Sequence, residues 1–252
     1  VFHMPQLDTP TTIQPVFDES LTQDAAPPVL GLSMLARAAF EEKDISVYAD
    51  GLVERMERAA DPYAMLDLSL MLQLCFQKEA GLDVLNSALK LRQIFRLVTG
   101  AAGAVRLLVI KTPGDLMANT PLECMLDQAD FTIDVLYVGP YLPWPSRVPP
   151  HDVVFMAVGE ADSPIETLAR LAAYLRDWPR PVLNLPQRVA RLSRAEAFNV
   201  LADVPGLCLA PNQRVDRATL QHVGAGATAQ DQVPAGSRVP ASRRPHGHES
   251  GQ

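Results

Sequence analysis

The stretch KTPGDLMANTPLECMLD, residues 111–127, gathers the residue types in this chain best suited to chemistry: Lys111, Gly114, Asp115, Asn119 and Thr120. A glycine lets backbone amides approach an anion, a lysine supplies the counter-charge, and Asn and Thr offer polar contacts where a helix begins. The same residues also read as a plain turn, with Pro113 and Gly114 shaping it and Thr120 capping the helix that follows. A second loop, GEADSP, puts Glu160 and Asp162 in an equivalent place. Two carboxylates there can hold a metal or an amine, although acidic residues also collect before helices because of the helix dipole.

Other chemistry is hard to assemble. A Walker P-loop, HExxH and GxSxG are absent; GAGATA at 224–229 follows no strand, and GAAG at 100–103 precedes one, the reverse of dinucleotide-binding order. His151 follows two prolines and reads as an exposed turn residue, and it stands beside no nucleophile. No catalytic residue and no metal ligand set emerges. Cys75, Cys124 and Cys208 form no CxxC pair, so they are expected to be buried free thiols.

A net charge of −7 and a pI near 5.2 argue against an electrostatic grip on nucleic acid or anionic lipid, both of which need a basic face. There is no basic segment leading into an apolar stretch at the N-terminus, and no run of about 18 apolar residues. The expectation is a cytoplasmic protein with neither nucleic-acid nor membrane partners.

The elements that must position these loops fall into four regions. Residues 1–30 carry five prolines among polar residues and are expected to be a mobile arm. Residues 31–99 have helical periodicity. Asp61 and Pro62 mark a helix start, MLDLSLMLQLCF has a wide apolar face ended by Gly81, and residues 82–98 read as its antiparallel partner. From 104 to 217 the pattern changes to short apolar runs at 105–110, 131–138, 152–159, 181–186 and 206–211, separated by helices, which indicates a parallel sheet. Thr120 and Glu123 in TPLE, Ser163 and Glu166 in SPIE, and Ser193 and Glu196 in SRAE each form a capping-box pattern. The expected fold is therefore α/β: helical hairpins, then a small doubly wound, mostly parallel sheet. Residues 221–252 are mainly Gly, Ala, Pro, Ser, Gln and Arg and are expected to be disordered.

The helical pair, with its phrase LDVLNSALKLRQ, resembles a tetratricopeptide unit. From Val105 to about Val215 the chain resembles the domain that precedes the catalytic fold of ATP-grasp ligases, through PVLNLPQRVARLSRAEAFNVLADVPGLCLAP. Asn184, Pro186, Leu201, Pro205, Gly206 and Pro211 follow the family's order, and Ser193-Arg194 stands where Asp-Lys is usual. The arrangement is similar to bacterial tetratricopeptide proteins fused to an ATP-grasp-like module. That resemblance implies ATP-dependent activation of a carboxylate as an acyl phosphate, with this domain on the substrate side and Arg194 beside a phosphate.

The family's lysine-bearing strands and magnesium ligands do not follow Gln221, and the change of composition there reads as a truncation, a lost reading frame or a linker. The expectation is thus a truncated ATP-grasp-like protein, not catalytic by itself. Lys111, Gly114, Asp115, Asn119, Thr120, Glu160 and Arg194 would line its ligand side; no cofactor is expected in this chain, with ATP and Mg implied only for a longer relative. The alternative expectation is an interaction module that binds a protein partner through its helical region, with the α/β domain as platform.

Overall fold

The computed structural model describes residues 15–22, 29–126, 129–160, 165–189, 191–210 and 215–224. The chain forms two compact units, residues 1–192 and 193–252. In chain order the first contains β1 (Val16–Phe17), α1 (Gly31–Phe40), α2 (Ala49–Ala59), α3 (Pro62–Leu74), α4 (Lys78–Leu91), β2 (Ile94–Val98) and β3 (Val105–Lys111). There follow α5 (Leu122–Met125), β4 (Phe131–Tyr137), β5 (Arg147–Val148), β6 (Val153–Met156), α6 (Ile165–Tyr174), β7 (Val182–Leu183) and α7 (Pro186–Val189). Helices and a parallel-dominated sheet make it an α/β structure.

Five strands lie in the order β2-β4-β3-β6-β7, with β2 antiparallel to β4 and every other pairing parallel. Successive side chains of a strand point to opposite faces, and both faces here are covered. On one face Leu108, Ile110, Leu136, Val154 and Met156 pack against Leu168 and Leu171 of α6. On the other, Leu107, Val109, Ile133 and Val135 meet Leu122 of α5, and Phe95 of β2 packs on Tyr63 and Leu66 of α3 and on Leu85 and Leu89 of α4. β2 supplies the fifth strand. The expected strand at 206–211 does not form among the described residues, and residues 94–98 do not continue the helix. IFRLV alternates instead, with Ile94 packed in the α6-side core and Phe95 in the α3–α4 core. Arg96 donates to both carboxylate oxygens of its register partner Asp134, each at 2.8 Å. A guanidinium held by a buried carboxylate across an antiparallel pair is satisfied only in the extended conformation.

Asp61 caps α3 as its Asp-Pro pair predicts, accepting from the amides of Tyr63 and Ala64 at 2.9 and 3.3 Å. The wide apolar face of α3 is explained by its burial on two sides: Ala64, Leu68 and Met71 pack with Leu35 of α1 and Leu52 of α2, while Tyr63 and Leu66 pack toward α4 and β2. Gly81 does not end this helix. Phe76, with φ +62°, makes the turn, and Gly81 lies inside α4, where a Cβ would come within 2.7 Å of Gln73 Cγ and 2.9 Å of the Ser69 carbonyl oxygen. Its hydrogen side is what lets the two helices touch.

Part of the expected mobile arm is pinned. β1 pairs in parallel with β5, the Arg92 guanidinium donates to the Leu21 carbonyl at 2.8 Å, and Arg96 reaches the Thr22 hydroxyl at 2.9 Å. Residues 1–14 and 23–28 lie outside the described residues. Two further expectations are corrected. The three cysteines are exposed, because Cys75 sits at the end of α3, Cys124 on the solvent side of α5 and Cys208 in an open segment, none of them in a core stripe. His151 is buried, 1% exposed, under Phe17 and Trp178. Its Nε2 accepts from the Trp178 indole at 3.0 Å, so Nδ1 carries the proton and donates to the Pro149 carbonyl at 2.8 Å. Burial holds its pKa below the usual histidine value, assisted by Arg180 and opposed by the Pro149 bond, Asp152 and Asp134.

The second unit contains α8 (Arg194–Leu201) and α9 (Arg217–Gly224). Ser193 caps α8, its hydroxyl accepting from the Glu196 amide at 3.2 Å, which is the serine half of the SRAE capping box. Gln221–Gly224, at the start of the expected tail, close α9; residues 225–252 lie outside the described residues.

Two measurements check these contacts. Gly81→Ala gains helix propensity but overpacks the α3–α4 contact, for a net loss of about 1–2 kcal/mol, seen as a lower urea midpoint. For His151, the unfolded chain takes up a proton near the ordinary value of 6.5 while the folded chain resists it. Stability is therefore full above that pH and falls as the pH drops from 6.5 toward the folded pKa. His151→Gln, which can still bridge Pro149 and Trp178, should flatten this decline in urea titrations across that window.

Candidate functional site

In the sheet, the chain moves outward from β3 to β4 on one side and outward from β6 to β7 on the other, so the topological switch lies between β3 and β6. Ligands of open α/β sheets gather at the carboxyl ends of the strands near that point. Here the loop after β3 closes it. The Thr120 amide donates to the Ala157 carbonyl at 2.7 Å, the Gly159 amide donates to the Ala118 carbonyl at 2.9 Å, and Asn119 bridges to Val158. Asn119 also clamps the base of the loop, its Oδ1 accepting from the Thr112 amide and its Nδ2 donating to the Thr112 carbonyl, both at 2.8 Å. A Cβ on Gly114 would fall 2.6 Å from that of Ala118, so the glycine serves the loop's own compactness.

Lys111, the last residue of β3, is 6% exposed, and its ammonium donates to Glu123 Oε1 at 2.6 Å. This overturns the TPLE capping box: Glu123 turns inward to the buried cation, Pro121 stands at the cap position of α5, and no side chain caps it. Burial works against the Lys111 charge, but Tyr137, Glu123 and Cys124 more than offset it and hold its pKa above the ordinary lysine value. Burial pushes the Tyr137 phenol up, with Lys111 pulling the other way. Lys111, Glu123 and Tyr137 border a narrow chamber of about 60 Å³ together with Asp67, Ser69 and Gln73 of α3. Asp67 is 1% exposed and accepts from the amides of Leu30 and Gly31 at 2.7 and 3.0 Å, fixing the start of α1. Its pKa is raised by burial against those two bonds. The Gln73 Oε1 is buried with no hydrogen-bond partner.

The remaining predicted residues divide. Asp115 turns its own loop, accepting from the Met117 amide at 3.0 Å, and pairs with Lys78 of α4 at 2.6 Å, a bond that holds its carboxyl below the usual range. Glu160 is exposed beyond β6, and Asp162 and Ser163 lie outside the described residues. Arg194 opens α8 in the second unit. Lys111, Gly114, Asp115, Asn119 and Thr120 are thus brought together in one loop, in which the side chains of Lys111, Asp115 and Asn119 and the Thr120 amide are bonded to the protein itself.

An open cleft of about 500 Å³ lies beside that loop. One wall is α4, through Leu82, Asn86, Leu89 and Lys90; the other is built by Pro113 and Gly114 after β3 and by Gly139–Leu142 after β4. Gly139 lets these two loops meet, since its Cβ would stand 3.1 Å from the Pro113 ring. Of the expected site residues, only Gly114 reaches this cleft. The signal for the others was the spacing of Leu82, Asn86 and Lys90 at four-residue intervals along one helix face. Among the described residues, no group of three or more His, Cys, Asp or Glu could hold a metal, and no helix is long and apolar enough to cross a membrane.

No family model, curated protein or solved structure matches the chain.

Removing Glu123 strands a buried ammonium. Glu123→Ala should cost about 3–5 kcal/mol in urea unfolding, whereas replacing both partners together, Lys111→Met with Glu123→Leu, should recover most of that loss.

Proposed function

We propose that this chain is the substrate-side part of an ATP-grasp-like protein: an α/β domain of the pre-ATP-grasp kind, joined to a helical region, that binds a small carboxylate-bearing ligand and does not turn it over by itself. The observation that carries this reading is the cleft at the carboxyl ends of β3 and β4, bounded by α4, which is of a size that takes a small molecule. The parallel order of β4, β3, β6 and β7 supports it, as does the Ser193 cap ahead of Arg194, in the phrase that carries the family resemblance. In that chemistry a carboxylate becomes an acyl phosphate, and this domain's part is to bind and orient the acid.

A second reading, a protein-interaction module, draws on Phe40 and Phe76, which are 90% and 97% exposed at the ends of α1 and α3. It is the weaker one, because α3, the first helix of the pair, is covered on two sides, toward α1 and α2 and toward α4 and β2.

The test is a thermal-shift panel of amino acids, dipeptides and dicarboxylates, with Mg-ATP turnover measured alongside. One acid class should raise the melting temperature in a saturable way with no ADP released. ADP release that depends on an added acid would overturn the non-catalytic part, and a panel without any shift would overturn substrate binding.

A further inference from the structure

We infer that the cleft between α4 and the loops after β3 and β4 is selective for a small amphipathic anion: an apolar or aromatic body ending in one carboxylate or similar acid group. The inference rests on the proposed function only in taking this cleft as the ligand site.

Three features fix the class. The lining is predominantly apolar, with Leu82, Leu89, Pro113, Pro140 and Leu142 facing one another across the cleft. Burying apolar ligand surface against them is the main attraction available. Lys90 is the one charged side chain in the lining, and no carboxylate among the described residues lies within ion-pair distance of it. The lysines nearest to the site in role are otherwise occupied: Lys111 is held by Glu123 and Lys78 by Asp115. A chain with net charge −7 thus presents an unpaired cation at the mouth of an apolar cleft, which favours an acid there over a base or a second charge of like sign.

Polar recognition is short. Asn86 stands one turn before Lys90 on the same face of α4, so a single head group can reach both an amide and an ammonium. Tyr141 lines the cleft yet is 97% exposed. An aromatic ring left in water beside an apolar floor is placed to cover a flat ligand body by stacking, which accounts for an exposure that burial in the free protein does not relieve.

Fluorescence titration decides the matter with two probes of one shape, anilinonaphthalene sulfonate and its uncharged parent phenylnaphthylamine. Variants are Lys90→Glu, Tyr141→Ala and, as a control for net charge, Arg58→Glu on α2. All three replace exposed side chains, and each is accepted only with the wild-type urea midpoint. The expected result is saturable one-to-one binding of the sulfonate, tighter than the neutral probe. Lys90→Glu should weaken it by about fivefold or more while leaving the neutral probe unchanged. Tyr141→Ala should weaken both, and Arg58→Glu neither. Equal binding of the two probes, untouched by Lys90→Glu but weakened by Tyr141→Ala, would overturn the anion selectivity and leave the cleft as a ligand site. Absence of saturable binding by either probe would overturn this inference and the ligand-binding role of the cleft together.

Discussion

An ammonium buried at the end of a central strand has to be answered by a carboxylate, and the geometry of the rim at the strand ends follows from how Lys111 is answered. The partner, Glu123, lies twelve residues downstream. Bringing it back over the strand end folds the intervening segment into a tight loop, which Asn119 clamps at its base and Asp115 ties to α4 through Lys78. Once the loop is folded so, Ala118 and Thr120 lie where they can pair with Ala157 and Gly159 beyond β6. One charge thus closes the crevice that an open sheet of this topology would otherwise present.

The closure also determines where an opening remains. With the switch point stitched, the free space at the strand ends shifts one strand over, between the loops after β3 and β4, and α4 becomes its far wall. That wall is held by the α3–α4 contact across Gly81 and by Phe95, so the helical region and the sheet share the duty of shaping the cleft. The Asp67 carboxylate fixes the start of α1 from within α3, and the same buried acid lines the chamber behind the loop.

What the sequence disclosed follows from which signals are local. Asp61 with Pro62, Ser193 with Glu196 and the runs at 105–110 and 131–138 are settled within a few residues, and they stand in the structure as read. IFRLV fits a helical period by coincidence through Leu91, Phe95 and Val98, and only a partner 38 positions away, Asp134, makes the strand decisive for Arg96. TPLE has the letters of a capping box, but the pull of a buried lysine on Glu123 outweighs one amide bond. His151 looks like a turn residue after two prolines, since nothing near it in the chain announces Phe17 or Trp178. The site was legible as a loop and illegible as a cleft, because its second wall comes from a helix whose outward stripe looks like ordinary solvated surface.

The polar residues most suggestive of ligand chemistry are therefore the least available for it. Lys111, Asp115 and Asn119 each have their strongest partner inside the protein, and a ligand recruiting one of them would first have to break that bond and then repair the group left behind. Lys90 and Asn86 carry no such debt: they are exposed, flank apolar surface and can be desolvated by a ligand that satisfies them in return. Motif chemistry identifies residues able to bind, whereas the accounting of existing partners identifies those still free to do so. On that accounting, the polar groups of the cleft left without a protein partner lie on the α4 wall, and the conspicuous loop after β3 is held by its own bonds as the opposite, self-satisfied wall.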